Sequence, residues 1–123
     1  MRVYISPFTF NIEVDEDSMT WRIYYADVRI GEFEFREDEK ERKWLSGCEI
    51  HADYQRKGLG GSVIRKAVKH YGAVYFCTAD RIDMNHYYGE YDSRYLTEEG
   101  VKLMESCLKK RIIRKSWTIN PWD

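Results

Sequence analysis

A chain of 123 residues, 43% apolar and 15% aromatic, is long enough for one packed core, too short for two, and too apolar to be disordered. Lysine and arginine number 20 against 21 aspartates and glutamates, so the net charge of −1 gives no overall pull toward nucleic acid or an anionic membrane. No stretch has the length of a membrane span or the shape of a secretory leader, and Cys48, Cys77 and Cys107 form no zinc spacing. These features predict a soluble protein of a reducing compartment, the cytoplasm, with cysteines that act as small hydrophobes. The charge is unevenly placed: residues 1–53 hold 13 acidic and 7 basic side chains, residues 54–123 hold 8 and 13.

Residues 2–15 alternate through Phe8, Phe10, Ile12 and Val14 and predict a strand, closed by a polar turn at residues 15–18. Trp21, Ile23 and Tyr25 share one face of a second strand, and Ala26-Asp27 makes the next reversal. Val28 and Ile30 continue on even numbers, but Phe33 and Phe35 are odd, a parity switch at Gly31 that a β-bulge produces. Residues 8–36 therefore predict a three-stranded antiparallel meander. The charge run at residues 36–43, REDEKERK, predicts a solvated loop or the frayed end of a hairpin.

The stretch from Trp44 to Gly72 is the most informative. It opens as a strand, passes through Gln55-Arg56-Lys57-Gly58-Leu59-Gly60-Gly61-Ser62, and continues as a helix with Leu59, Val63, Ile64, Ala67, Val68 and Tyr71 on one face, stopped by Gly72. The first amides of a helix have no internal partner, and the helix dipole adds partial positive charge there. Gly58, Gly60 and Gly61 let backbone N–H groups converge on a ligand, and Arg56 and Lys57 add full charge, so a diphosphate is the expected guest. The alternative is an ordinary strand-to-helix turn that uses glycine for packing.

Residues 73–79 form an apolar run that predicts an interior strand parallel to the one before the helix. Residues 80–96 read as an aromatic loop in which Tyr87, Tyr88, Tyr91 and Tyr95 either wall a pocket or pack the loop onto the body. Thr97 caps a second helix with Glu98 and Glu99 in its first turn, a staple from Leu96 to Val101, and a buried face of Val101, Leu103, Met104, Cys107 and Leu108. Trp117 and Ile119 alternate in a last short strand before Asn120-Pro121. The whole is one α/β domain over 1–123, of mixed α+β type: an antiparallel N-terminal meander, then β-α-β-α-β.

The loop is neither a Walker loop, lacking Gly-Lys-Ser/Thr, nor the dinucleotide fingerprint, since Val63 stands at the third glycine. Gln55-Arg56-Lys57-Gly58-Leu59-Gly60 instead resembles motif A of the GNAT-type N-acetyltransferases, Gln/Arg-x-x-Gly-x-Gly/Ala, clearly over Trp44 to Ala79. The resemblance implies a compact GNAT-like fold that takes acetyl-CoA as cosubstrate. Gln55, Arg56, Lys57, Gly58, Leu59, Gly60, Gly61 and Ser62 would cradle its pyrophosphate, and the pantetheine would lie near Ile50 between two splayed strands. The helices the family carries between its first and second strands are missing here, which leaves the acceptor side open and suits a peptide, protein or polyamine amine.

Acetyl transfer to an amine needs a base, donors for the carbonyl oxygen, an acid for the thiolate and close placement of the reactants. Glu49 and His51, two apart on one strand face, are the candidate bases; histidine titrates near neutrality by itself, whereas glutamate needs burial. Backbone N–H groups near Ile50 are the candidate oxyanion donors. The family's proton-donating tyrosine falls on Met104, which carries no proton to give, so Tyr87, Tyr88 and Tyr91 are the candidate acids, with Asn85 and Tyr88 or Tyr91 in a second register. Two other readings stand beside this one. One is a non-catalytic acyl-CoA-binding or protein-interaction module on the same fold. The other is a nucleic-acid-binding domain, ranked low because the aromatics cluster in one loop. Exposed strand edges allow a homodimer.

Overall fold

The alternating N-terminal residues build a single sheet. In the computed structural model, which describes residues 1–78 and 96–121, β1 (Arg2–Ile5), β2 (Phe8–Asp15), β3 (Thr20–Tyr25), β4 (Val28–Glu37) and β5 (Lys43–Ile50) pair in sequence order, every pair antiparallel. The three-stranded meander predicted over residues 8–36 is present as β2–β4, and β1 and β5 extend it to five strands. The single strand expected over residues 2–15 is two, because Ser6-Pro7 reverses the chain and proline cannot donate to a ladder.

The parity switch is present. Ile23 stands opposite Gly31 and Tyr24 opposite Arg29, so Ile30 is the extra residue, and Ile30, Phe33 and Phe35 are all buried. Trp21, Ile23, Phe10, Phe33 and Leu45 form the sheet side of the core. The opposite face carries a row of charges in register, Glu13, Arg22, Glu32 and Glu49.

Helix α1 (Leu59–Tyr71) buries Leu59, Val63, Ile64 and Ala67 against that core, the face its periodicity predicts. It ends at Gly72, whose positive φ of 92° lets its N–H reach the Val68 carbonyl at 2.8 Å. The indole of Trp21 donates to the Tyr71 hydroxyl at 2.9 Å, which ties the last turn to β3 and satisfies the only polar atom of a fully buried ring.

After α1 the chain forms β6 (Phe76–Cys77), α2 (Glu98–Lys109) and β7 (Thr118–Ile119). Among the described residues the order from β5 onward is β-α-β-α-β, but β6 spans two residues, not the seven expected from the apolar run, and Trp117 lies in a 3₁₀ turn just before β7. Strands β6 and β7 pair in parallel. Thr97 caps α2, its hydroxyl accepting the Gly100 N–H at 3.2 Å. The expected Leu96–Val101 staple and the inward Val101 are not borne out. Val101 is exposed, and Leu96 covers Gly100, where a Cβ would stand 3.2 Å from its Cδ2. The inward positions are Gly100, Leu103, Met104, Cys107 and Leu108, one position away from Val101 on the helical wheel.

The charge run is the other correction. Instead of a frayed end, residues 38–42 make a tight connection between β4 and β5 around the nearly buried carboxylate of Asp38. It accepts from the Trp44 indole at 2.9 Å, the Arg42 guanidinium at 2.8 Å, and the N–H groups of Lys40 and Arg42 at 2.9 Å. Periodicity reads charge runs as solvated; here one of those charges is the hub of the turn.

Candidate functional site

Strands β5 and β6 meet at one parallel bridge, Trp44 with Tyr75, held by Leu45 N–H to the Tyr75 carbonyl (3.0 Å) and Tyr75 N–H to the Lys43 carbonyl (2.8 Å). Among the described residues they share no further pairing: β5 continues beside β4, and β6 turns to β7. The bridge is braced by aromatic and cationic groups. The Arg42 guanidinium lies 5.0 Å from the Trp44 ring and 5.7 Å from the Tyr75 ring, and Tyr75 stands 6.5 Å from Trp117.

Beyond the bridge, β5 carries the sheet's second irregularity. Glu34 faces Gly47 and Phe35 faces Leu45, so Ser46 is unmatched across the ladder. Ser46, Gly47 and Cys48 here line a slot of about 10 Å³, room for one water, whose other wall is Leu96, Thr97 and Gly100 at the start of α2. Burial, and then Glu99, push the Cys48 thiol up to about 11, so it lines the slot as a neutral thiol and not as a nucleophile.

At the far end of β5, His51 opens a 3₁₀ turn over Ala52–Tyr54 and caps it, its Nδ1 accepting the Asp53 N–H at 3.2 Å. The side-chain amide of Gln55 donates to the Ile50 carbonyl at 2.7 Å and pins the loop to the strand end. Tyr54 packs with Phe8, Phe10 and Tyr25, ring centroids 5.5 to 5.8 Å away, and Lys57 Nζ stands 5.2 Å from the Phe8 ring. This aromatic anchor is invisible to sequence pattern, because Phe8, Tyr25 and Tyr54 come from three separate elements.

The chain then enters α1 through two left-handed residues, Arg56 at φ 61° and Gly58 at φ 82°. Gly58 is the N-cap with no side-chain cap bond, and nothing lies within 4 Å of where its Cβ would be. The first helical bond is Ser62 N–H to the Gly58 carbonyl at 3.1 Å, so the amides of Leu59, Gly60 and Gly61 lie ahead of it. Arg56, Lys57 and Gly58 are exposed together at this terminus. Set against family models, curated proteins and solved structures, the chain finds no match.

Several expected site residues have other duties. Leu59 is a core residue, so only its backbone is available to a ligand, and the Ile50 side chain also packs on the core. Gly60 and Gly61 are not open toward a ligand as expected. A Cβ on Gly60 would meet Leu103 Cδ1 at 3.0 Å, and one on Gly61 would meet Ile112 Cδ1 at 3.2 Å, so both are spacers between α1 and what packs over it. Gly60→Val is accordingly expected to lower stability by about 1–3 kcal/mol through overpacking, read as a shifted denaturant midpoint. Any accompanying ligand effect would therefore not isolate the cradle; Gly58 and Arg56 are the cleaner positions.

The candidate bases sit on the opposite, polar face of β5. Glu49 and His51, with Arg29, Ile30, Gly31 and Glu32, line a cavity of about 180 Å³. Glu49 is exposed, so the burial expected for it is not present. His51 spends its Nδ1 lone pair on the Asp53 amide, which puts the ring proton on Nε2 and leaves the neutral ring a donor toward solvent. Of the two, Glu49 makes no ion pair among the described residues, and its acceptor oxygens stay open. Met104 packs on the core. The candidate acids Tyr88 and Tyr91, with Tyr87 and Asn85, lie outside the described residues.

Proposed function

We propose that this chain is an acetyl-CoA-dependent N-acetyltransferase acting on a primary amine by direct transfer. The observation that carries the reading is the pair of strands β5 and β6. They join at one bridge and, among the described residues, share no further pairing, while β5 leads to a helix N-terminus flanked by two exposed cations. A strand edge beyond a single bridge suits an extended, hydrogen-bonding arm, and the helix terminus beyond it suits a diphosphate.

On this reading the amides at the start of α1, with Arg56 and Lys57, hold the pyrophosphate, and the unmatched backbone at Ser46 offers an N–H toward the thioester oxygen. The amine nitrogen attacks the thioester carbon and the C–S bond breaks. The ammonium proton passes to Glu49 through water, and the departing thiolate takes a proton from Tyr88 or Tyr91, or from solvent. A second reading, a non-catalytic acyl-CoA-binding module, draws on Met104, which occupies the family's acid position and is packed into the core.

Titration calorimetry with coenzyme A, followed by mass-shift detection of acetyl transfer to an amine panel, tests both. Binding with transfer is the expected result; absence of any coenzyme A binding would overturn the proposal, and binding without transfer to any amine favours the module. Glu49→Gln is expected to slow turnover by about a hundredfold with coenzyme A affinity unchanged, measured by steady-state kinetics alongside calorimetry.

A further inference from the structure

Residues 109–115 read Lys-Lys-Arg-Ile-Ile-Arg-Lys, and the fold splits the run by chemistry. Ile112 and Ile113 are buried, while Lys109, Lys110, Arg111, Arg114 and Lys115 are all exposed. Ile112 seats on α1 at Gly61, where a Cβ would stand 3.2 Å from the Ile112 Cδ1. Arg65 lies one turn further along the same face of α1 and is also exposed. Burial pushes the Cys107 thiol up to about 11, and Lys110 and Arg65 both draw it back, so the packing gathers cations of two elements around one point.

None of these cations makes an ion pair among the described residues, whereas Arg22, Arg29, Arg42 and Lys43 on the sheet all do. Helix α1 carries no Asp or Glu, and neither does the stretch from Ser106 to Asn120. The dipole of α2 accounts for the cations at its end, Lys109 and Lys110, but not for Arg114 and Lys115, which lie beyond it. The segment then meets aromatic rings. The Arg114 guanidinium lies 5.6 Å from the Trp117 ring, and Trp117 stands 6.5 Å from Tyr75, both rings being half-buried. The near-zero net charge of the chain thus hides a face that is locally cationic and edged with aromatics.

We propose that the segment from Lys109 to Trp117, with Tyr75 beside it, is a binding surface for single-stranded nucleic acid, its cations on the phosphates and its rings under the bases. A sequence-tolerant single strand is held by charge along its backbone and by aromatic side chains on which bases stack, and one segment presents both. A membrane surface would need apolar side chains to insert. The exposed large hydrophobics among the described residues are Met1, Tyr4, Val28 and Val101, and none belongs to this segment. The surface does not rest on the acetyltransferase reading and uses none of its residues.

The test is fluorescence anisotropy of short labelled oligothymidylate and oligouridylate titrated with the full chain, the pair telling DNA from RNA as the source. A fourfold rise in salt is expected to weaken binding about fiftyfold, the dependence of about four single-strand phosphate contacts. The double variant Lys110→Ala with Lys115→Ala changes only exposed side chains and is expected to lower the slope of log affinity against log salt by about 1.4. Trp117→Leu keeps apolar bulk and is expected to weaken binding about tenfold with the slope unchanged, because stacking releases no counterion. No binding of either oligonucleotide at low salt would overturn the inference, as would a salt slope that survives the double lysine variant. Full affinity in Trp117→Leu, or capture by phosphatidylserine vesicles in place of the oligonucleotides, would overturn it as well.

Discussion

Asp38→Ala will destabilise the protein by about 3 kcal/mol, measured as the loss in free energy of urea unfolding, because it strips the acceptor from buried donors. The Asp38 carboxylate lies in the connection between β4 and β5 with almost no exposure, and it serves the Trp44 indole, the Arg42 guanidinium and two backbone amides. Trp44 is fully buried and its indole N–H would lose this acceptor, and Arg42 would lose the anchor that holds it over Trp44 and Tyr75. Asp38→Asn keeps the shape and one acceptor oxygen and should cost less.

The same site sets an acid limb on stability. Burial pushes the Asp38 carboxyl up, but the bonds from Trp44 and Arg42 outweigh it and hold the group well below the usual carboxylate range. Below the unfolded value, near pH 4, the unfolded chain has bound a proton that the native chain refuses. Unfolding then takes up a proton, and stability falls as pH falls. The contribution is complete above that value. A urea midpoint that declines below about pH 4 in the parent and declines less in Asp38→Asn is the expected signature. A parallel decline in both would assign the acid limb elsewhere.

Arg56→Gly will move stability and ligand binding in opposite directions. Arg56 holds φ 61°, a left-handed conformation that costs a side-chain-bearing residue about 1 kcal/mol relative to glycine. The residue is exposed and makes no hydrogen bond or ion pair among the described residues, so its removal loses little contact. The variant should therefore melt a few degrees higher in a thermal scan. If the cation serves the pyrophosphate, coenzyme A affinity should fall about tenfold by calorimetry, the scale of one charge-assisted hydrogen bond. A stabilised variant with undiminished affinity would sink the phosphate role of Arg56.

Local pattern made much of this molecule legible. The face of α1 follows from its 3.6-residue period, its stop from Gly72, and the cap of α2 from Thr97, each a short-range property of a few neighbouring residues. The parity change near Gly31 announced a bulge because alternation has a period of two, and any extra residue shows at once. The candidate loop was equally visible, since its glycines and cations are contiguous. What misled was composition read without partners. The charge run around Asp38 looked solvated because its indole donor is six residues away, and Gly60 looked like a ligand-facing glycine because Leu103 comes from another helix.

The amino-acid order by itself determined the three strands over residues 8–36, the inward face of α1 and the place where a helix begins behind two cations. Only the folded chain decided which groups confront one another: Glu32 with Glu49, Trp44 with Tyr75, the slot beside Ser46 with α2. The reason is register. Two unmatched residues, Ile30 and Ser46, reset the facing of everything after them, and which strand each is matched against is fixed by packing over the shared core, not by any preference the residues carry alone.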